Sequence, residues 1–329
     1  MAPAVADRPV PPLTSVDHAD GTTSVVADLM GGRVSIHLRP SHPPTTEGDD
    51  DQAGRDALRV MRRIASWAER LTRFNPESEL SRMNAAPTGS VPIGPTLAAV
   101  LTTAQLAGRA TDGIVDPTVL PARLAAEAPD AVQQVPWSTQ RSWQIEAGRR
   151  GGTIRRSPGT SFDLGGVAKG WIADRAVAGL AGYPAVLVDA DGDLAIALAF
   201  GEAWRIGVAD PRTPGDTLAT VELCGLDPSG SQRFGLATSG TSVHRWSHDG
   251  RATHHLIDPR FGSPAVTDVI QATVLAESAT AAEAAAKTIV ILGSSRTEAM
   301  LAQPGVWACV VLTESGRILA SPSTLRWLA

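Results

Sequence analysis

Apolar residues along this chain follow two different periods, and the two alternate in a way that outlines the fold. Leu58, Met61, Ile64, Ala65, Ala68 and Leu71 recur at steps of three and four, which predicts an amphipathic helix. Its opposite face carries Arg55, Arg59, Arg62, Arg63, Arg70 and Arg73, read as a solvated basic face. A second helix is expected over Leu97 to Ala110, closed by Asp112 and Gly113, and two more after Gly166 and from Ala279. Strand-like runs fill much of the rest. "TTSVVADLMGGRVSIHL" (22–38) reads as two strands broken at Gly31 and Gly32. "AVLVDA", "WRIGVA", "ATVEL", "VIQATVLA", "WACVVLT" and "GRILAS" follow in the second half, several without a helix between them. That order favours an α+β fold with much antiparallel sheet. Residues 129–157 carry little signal beyond a basic turn, "GRRGGTIRR".

Size and charge narrow the picture. The chain has 329 residues, 43% of them hydrophobic, enough for one large or two small domains. A net charge of −5 argues against a general nucleic-acid binder. No apolar run approaches the ~18–20 residues of a membrane span. Residues 1–20, rich in Pro and Ala, read as a flexible tail on a cytoplasmic protein, and 21–329 as a single domain. Within it, 40–55 reads as an exposed acidic loop, whose Asp49 to Asp51 are taken as solvated. Cys224 and Cys309 read as two buried free thiols.

Four stretches carry candidate chemistry. In "FDLGGVAKGWIADRA" (162–176) a strand ends at Asp163, two glycines follow, and a helix begins near Val167. Free N–H groups at such a start, with Lys169 beside them, suit an anion such as phosphate; a plain glycine turn with a surface lysine is the competing reading. The order of glycine and lysine does not match the Walker pattern. "DADGDLAIALAF" begins like a calcium loop but ends in Phe200 where a bidentate glutamate is needed, so it reads as an acidic turn at a strand edge. Ser239, His255 and Asp258 offer a hydroxyl, an imidazole and a carboxylate, with no G-x-S-x-G elbow around any serine. His255 with Asp258 suits a general base for an incoming hydroxyl, against the alternative of a histidine that caps a turn. Glu283 and Lys287 stand one turn apart in "ESATAAEAAAKTIVILG", where an i,i+4 ion pair is the plain reading.

Taken in order, these motifs resemble the ApbE-type FAD:protein FMN transferases. Met30-Gly31, "FNPESELSRMN", "TDGIVDPT", "FDLGGVAKG", "DGD" at 191–193, "ATSG", "HHLIDPRFG" and "AAEAAAKTIVILG" each look like a family motif. The resemblance implies a T-fold-like α+β domain with two mixed or antiparallel sheets flanked by helices. It implies FAD as substrate, FMN passed to a Ser or Thr hydroxyl of an acceptor protein, and AMP released. Flavin-binding positions would be Met30, Phe74, Ile114, Val115, Asp116, Asp163, Lys169 and Leu256, with Ser239 of "ATSG" counted beside them. His255 and Asp258 match the group that activates the acceptor hydroxyl. Mg²⁺ would be held by the carbonyl at Gly166 and by an Asp and a Thr on the late helix, which here are Glu283 and Lys287. Lys287 departs most sharply, because an ammonium has no lone pair for a metal. Milder departures are Asp191 for a glycine and Phe261 for a threonine. Three readings follow: the lysine replaces the metal, the metal site shifts, or transfer is lost and the chain binds or carries FAD.

Overall fold

The computed structural model describes residues 13–41, 52–87, 89–127, 141–243, 245–248 and 251–321. A nine-stranded sheet dominates it. Its strands run, in spatial order, Ser15–Asp17, Thr23–Leu29, Gly32–Arg39, Ala185–Ala190, Asp193–Leu198, Gln232–Gly240, Val269–Ala276, Val306–Thr313 and Ile318–Ala320. Every neighbouring pair is antiparallel. The expected pair of sheets is thus one large sheet with smaller companions. These are a three-stranded sheet of Gly89–Ile93, Gly151–Arg156 and Trp143–Gly148, and three two-stranded ribbons. One ribbon, Ala203–Ala209 with Thr217–Cys224, leaves the main sheet where Gly201 takes φ 83°, a conformation glycine reaches without strain.

Two tight hairpins matter for the site. Met30 (φ 57°) and Gly31 (φ 82°) form the first, so the break falls one residue earlier than the glycine pair suggests, and Gly32 opens the next strand. Asp191 (φ 59°) and Gly192 (φ 91°) form the second. Two successive positive φ angles match the right-handed twist of the flanking strands. The Asp191 side chain lies over Gly32, where an added Cβ would stand 2.0 Å from its carboxylate.

Ser15–Asp17, within the tail expected over 1–20, belongs to the sheet and pairs with Thr23–Val25, while residues 1–12 lie outside the described residues; the Thr23 hydroxyl donates to Asp17 at 2.6 Å. Most of the acidic loop, and Asp49 to Asp51 in particular, lies outside the described residues. The arginine-faced helix spans Gln52–Leu71 and buries Ala57, Val60, Met61, Ile64 and Leu71. It packs with helix Ala168–Ala178 on one face of the sheet, and Trp67 meets Trp171 edge-on at 5.5 Å. The late helix, Ala279–Leu292, lies against Gln232–Gly240 and Val269–Ala276. Its almost wholly apolar composition follows from burial on nearly every side, with Ala282, Ala286, Ile289 and Val290 at 0% exposure. No helix among the described residues is long and apolar enough to cross a membrane. Cys309 is buried and Cys224 half-buried, both as free thiols.

Candidate active site

Helix Pro95–Ala110 ends at Thr111, whose hydroxyl donates to the Ala107 carbonyl at 2.8 Å and accepts the Val115 N–H at 3.1 Å. That exchange, with Gly113 at φ 81°, turns the chain so that Ile114, Val115, Asp116 and Pro117 form one wall of a cavity. Asp116 is held by the Thr118 N–H and hydroxyl at 2.8 and 2.7 Å and by Arg141 at 2.9 Å. The Pro117 carbonyl accepts the Asp163 N–H at 2.7 Å, which ties this wall to the "FDLGG" segment. Asn84, at the end of "SELSRMN", brackets Phe162: its amide donates to the Phe162 carbonyl at 2.8 Å and accepts the Phe162 N–H at 2.9 Å. The stretch 79–85 is itself a short helix, capped by Ser78, which sequence periodicity did not reveal.

The cavity is small and partly open to solvent. Besides Ile114 to Pro117, its lining includes Arg123, Asp163, Gly165, Gly166, His255, Leu256 and Lys287. Asp163 is fixed by Arg123 at 3.1 Å, by Arg73 at 3.4 Å, and by accepting the Gly165 N–H at 2.9 Å. Both arginines also pair with Glu127. Arg73 is therefore not part of a solvated face, since its side chain is only 10% exposed and sits between two carboxylates. His255 and Leu256 form the facing wall, and the Leu256 carbonyl accepts the Ala265 N–H at 2.9 Å.

Behind the Gly165–Gly166 turn lies a cluster of buried charges. The Glu283 carboxylate accepts the Gly170 N–H at 3.1 Å. Burial, opposed by Lys287 and Lys169, leaves its pKa above the usual carboxylate range. Asp193 is pushed well up by burial and by the neighbouring Glu283 charge. Lys169 lies 3.5 Å from Asp191 and 3.6 Å from Asp193, and donates to the Asp191 carbonyl at 3.2 Å. Burial alone would lower its pKa, but Asp193, Glu283 and Asp191 together raise it. Lys287 points to the turn: its ammonium lies 3.5 Å from the Gly165 carbonyl, and a Cβ on Gly166 would stand 2.1 Å from Nζ. Burial lowers its pKa, against the pull of Glu283, Asp163 and Asp193.

The fold thus brings Ile114, Val115, Asp116, Asp163, Gly166, His255, Leu256 and Lys287 to one cavity. Glu283 stands behind it, beside the helix start at Gly170. Lys169 faces the 191–193 turn, where Asp191 and Asp193 are its partners, and is not in the cavity lining. Asp258 gives both oxygens to Arg260, the shortest contact 2.6 Å, so its carboxylate organises the "DPRFG" turn. Phe74 is 72% exposed with the Arg73 guanidinium 4.2 Å from its ring centre. Met30 sits in the first hairpin turn and Ser239 on the strand Gln232–Gly240, neither in the cavity lining.

A family model described as the ApbE family matches residues 30–311. The chain belongs to the ApbE family. Among similar proteins is an FAD:protein FMN transferase of Treponema pallidum (strain Nichols), 32% identical over 176 residues. The match covers 50% of this chain and 46% of that protein, so this ApbE-family chain spans less than half the length of that relative. A protein of the same description from Salmonella typhimurium (strain LT2) is 25% identical over 268 residues, covering 74% of this chain and 73% of its own. The crystal structure of an ApbE protein from Thermotoga maritima superposes with a TM-score of 0.73 at 21% identity, over 93% of this chain and 99% of that one. At that identity the likeness establishes the α+β fold. Arg123, Arg141 and Asn84 are the site residues the sequence did not disclose. Asn84 stood inside a recognised motif, whereas Arg123 and Arg141 lie in stretches with no motif or period.

Proposed function

We propose that this ApbE-family chain is an FAD:protein FMN transferase. The single observation that carries the reading is the cavity itself, where the "TDGIVDPT", "FDLGG" and "HHLIDPRFG" segments and the late helix meet. In the reaction a Ser or Thr hydroxyl of the acceptor protein attacks the FMN phosphorus of FAD. A new P–O bond forms, the bond to the bridging oxygen breaks, and AMP leaves with the electron pair.

Cleaving such an anhydride requires mainly positioning and positive charge at the phosphate oxygens. The Lys287 ammonium lines the cavity and suits that role. His255, which lines the cavity, suits the role of the group that takes the proton of the acceptor hydroxyl. Asp258 supports it indirectly, by fixing the turn that follows. Arg123 and Arg73 hold Asp163 in one orientation, and Arg141 with Thr118 does the same for Asp116. An oriented carboxylate suits the single N–H donor, N3–H, of an oxidised flavin ring.

The test is to incubate the purified chain with FAD and co-expressed candidate acceptors, then to follow AMP release and covalent flavin by mass spectrometry. Transfer is expected, and His255→Ala should slow it by about 10²–10⁴-fold with FAD binding retained. Bound FAD that yields neither AMP nor adduct with any acceptor would identify a carrier and overturn transfer.

A further inference from the structure

A divalent ion at this site would need oxygen donors converging on the Gly166 backbone from positions 283 and 287. The side chains present do not fit one. Lys287 brings only N–H donors and a positive charge, and its Nζ already lies against Gly166, 2.1 Å from where a Cβ would stand. Its stem fills the approach as well, with Cε and Cδ 3.3 and 3.5 Å from that same point. The Glu283 carboxylate is turned to the helix start, accepting the Gly170 N–H. A metal entering here would have to displace an ammonium held by the Gly165 carbonyl at 3.5 Å and by the field of Glu283, Asp163 and Asp193.

We propose that Lys287 is the built-in cation of this site, and that the chain engages the diphosphate of its dinucleotide substrate without a divalent metal. The geometry supports this from three sides. The ammonium lines the cavity, so it reaches the space a substrate would fill. Its stem lies against Gly166, which sets where the ammonium sits. Glu283, one helical turn away and 3% exposed, offsets its charge, and the ammonium keeps N–H donors for phosphate oxygens. Lysine serves phosphate as a point charge, a role that needs no coordination geometry. Lys169, already committed to Asp191 and Asp193, is not available to do the same.

The proposal rests on the transferase reading, and the experiment separates the two. FAD affinity, by flavin fluorescence, and AMP release are measured in EDTA and in Mg²⁺ for the wild type, Lys287→Thr and Lys287→Met. Mn²⁺ binding is followed by electron paramagnetic resonance, and thermal melting checks that each variant is folded. The wild type should bind and cleave FAD equally, within about twofold, in EDTA and Mg²⁺, and should leave Mn²⁺ free. Lys287→Thr should lose at least about tenfold in FAD affinity in EDTA, regain it with Mg²⁺, and bind Mn²⁺. Lys287→Met keeps the stem without charge or oxygen, so Mg²⁺ should not rescue it. A wild type that requires Mg²⁺, or that binds Mn²⁺ as the threonine variant does, overturns the built-in cation and leaves transfer standing. A wild type that neither binds nor cleaves FAD in any condition overturns both.

Discussion

Lys169 and Lys287 carry the same charge on facing helices, yet their surroundings drive them in opposite directions. For Lys169 three carboxylates outweigh burial and raise its pKa; for Lys287 burial outweighs its neighbours and lowers it. The first is locked to a hairpin, the second poised at a cavity. Environment sorts the two thiols in the same way. Burial raises the Cys309 pKa to about 11, whereas Cys224 is only half-buried. The native chain at pH 8 should therefore react with one equivalent of a thiol reagent such as DTNB, and with two after unfolding. Between pH 9 and 11 the folded chain keeps a proton on Cys309 that the unfolded chain releases, so stability falls as pH rises through that window. The effect, at most on the order of 3 kcal/mol, should be absent from Cys309→Ala and so appear as a pH-dependent difference between its thermal melts and those of the wild type. Both cysteines read as buried from sequence alone; that one is only half so follows from its place at the end of a strand in a two-stranded ribbon.

The element that sets the site is the late helix, and its position is fixed at its N-terminus. Ser278 caps it, accepting the Ala281 N–H at 3.2 Å. Asp174, on helix Ala168–Ala178, accepts from the Ala279 and Thr280 N–H groups at 2.9 and 3.0 Å and from the Thr280 hydroxyl at 2.7 Å. One carboxylate thus joins the two helices that carry Gly170 and Lys287. Gly235 allows the helix to settle on the sheet, since a Cβ there would lie 1.9 Å from the Ser278 backbone. Asp174→Ala removes a charged acceptor from buried N–H groups and should cost about 2 kcal/mol in urea unfolding. Ser278→Ala should cost about 1 kcal/mol. The helix itself was legible from its alanine run, because apolar composition is local. Asp174 was not, because it lies 105 residues away and acts only once the helices meet.

At the scale of the molecule, the cavity forms where the large sheet's helices meet the segments that lead to the small sheet. Arg156 anchors that small sheet. Its guanidinium, in a residue only 8% exposed, donates to the carbonyls of Thr160, Met83, Asn84 and Ala86, the contacts running from 2.7 to 3.1 Å. It so ties strand Gly151–Arg156 to the end of the short helix whose Asn84 positions Phe162. Arg156→Met would leave several buried carbonyls unsatisfied, and should cost about 3 kcal/mol and lower FAD affinity, as a melt and a fluorescence titration would read. The basic "GRRGGTIRR" suited a turn in sequence, and the turn is there between Gly148 and Gly151; that its last arginine points inward was not readable. By itself the sequence determined the elements with a clear period, the turns marked by glycine, the motif order that places the chain in its family, and the lysine where a metal ligand is expected. Each depends on neighbours in the chain or on local backbone chemistry. Only the tertiary structure decided which charges meet. Arg73 and Arg123 on Asp163, Arg260 on Asp258 and Lys169 on the 191–193 turn are chosen by distance and burial, and a pairing energy that depends on both has no signature in residue order.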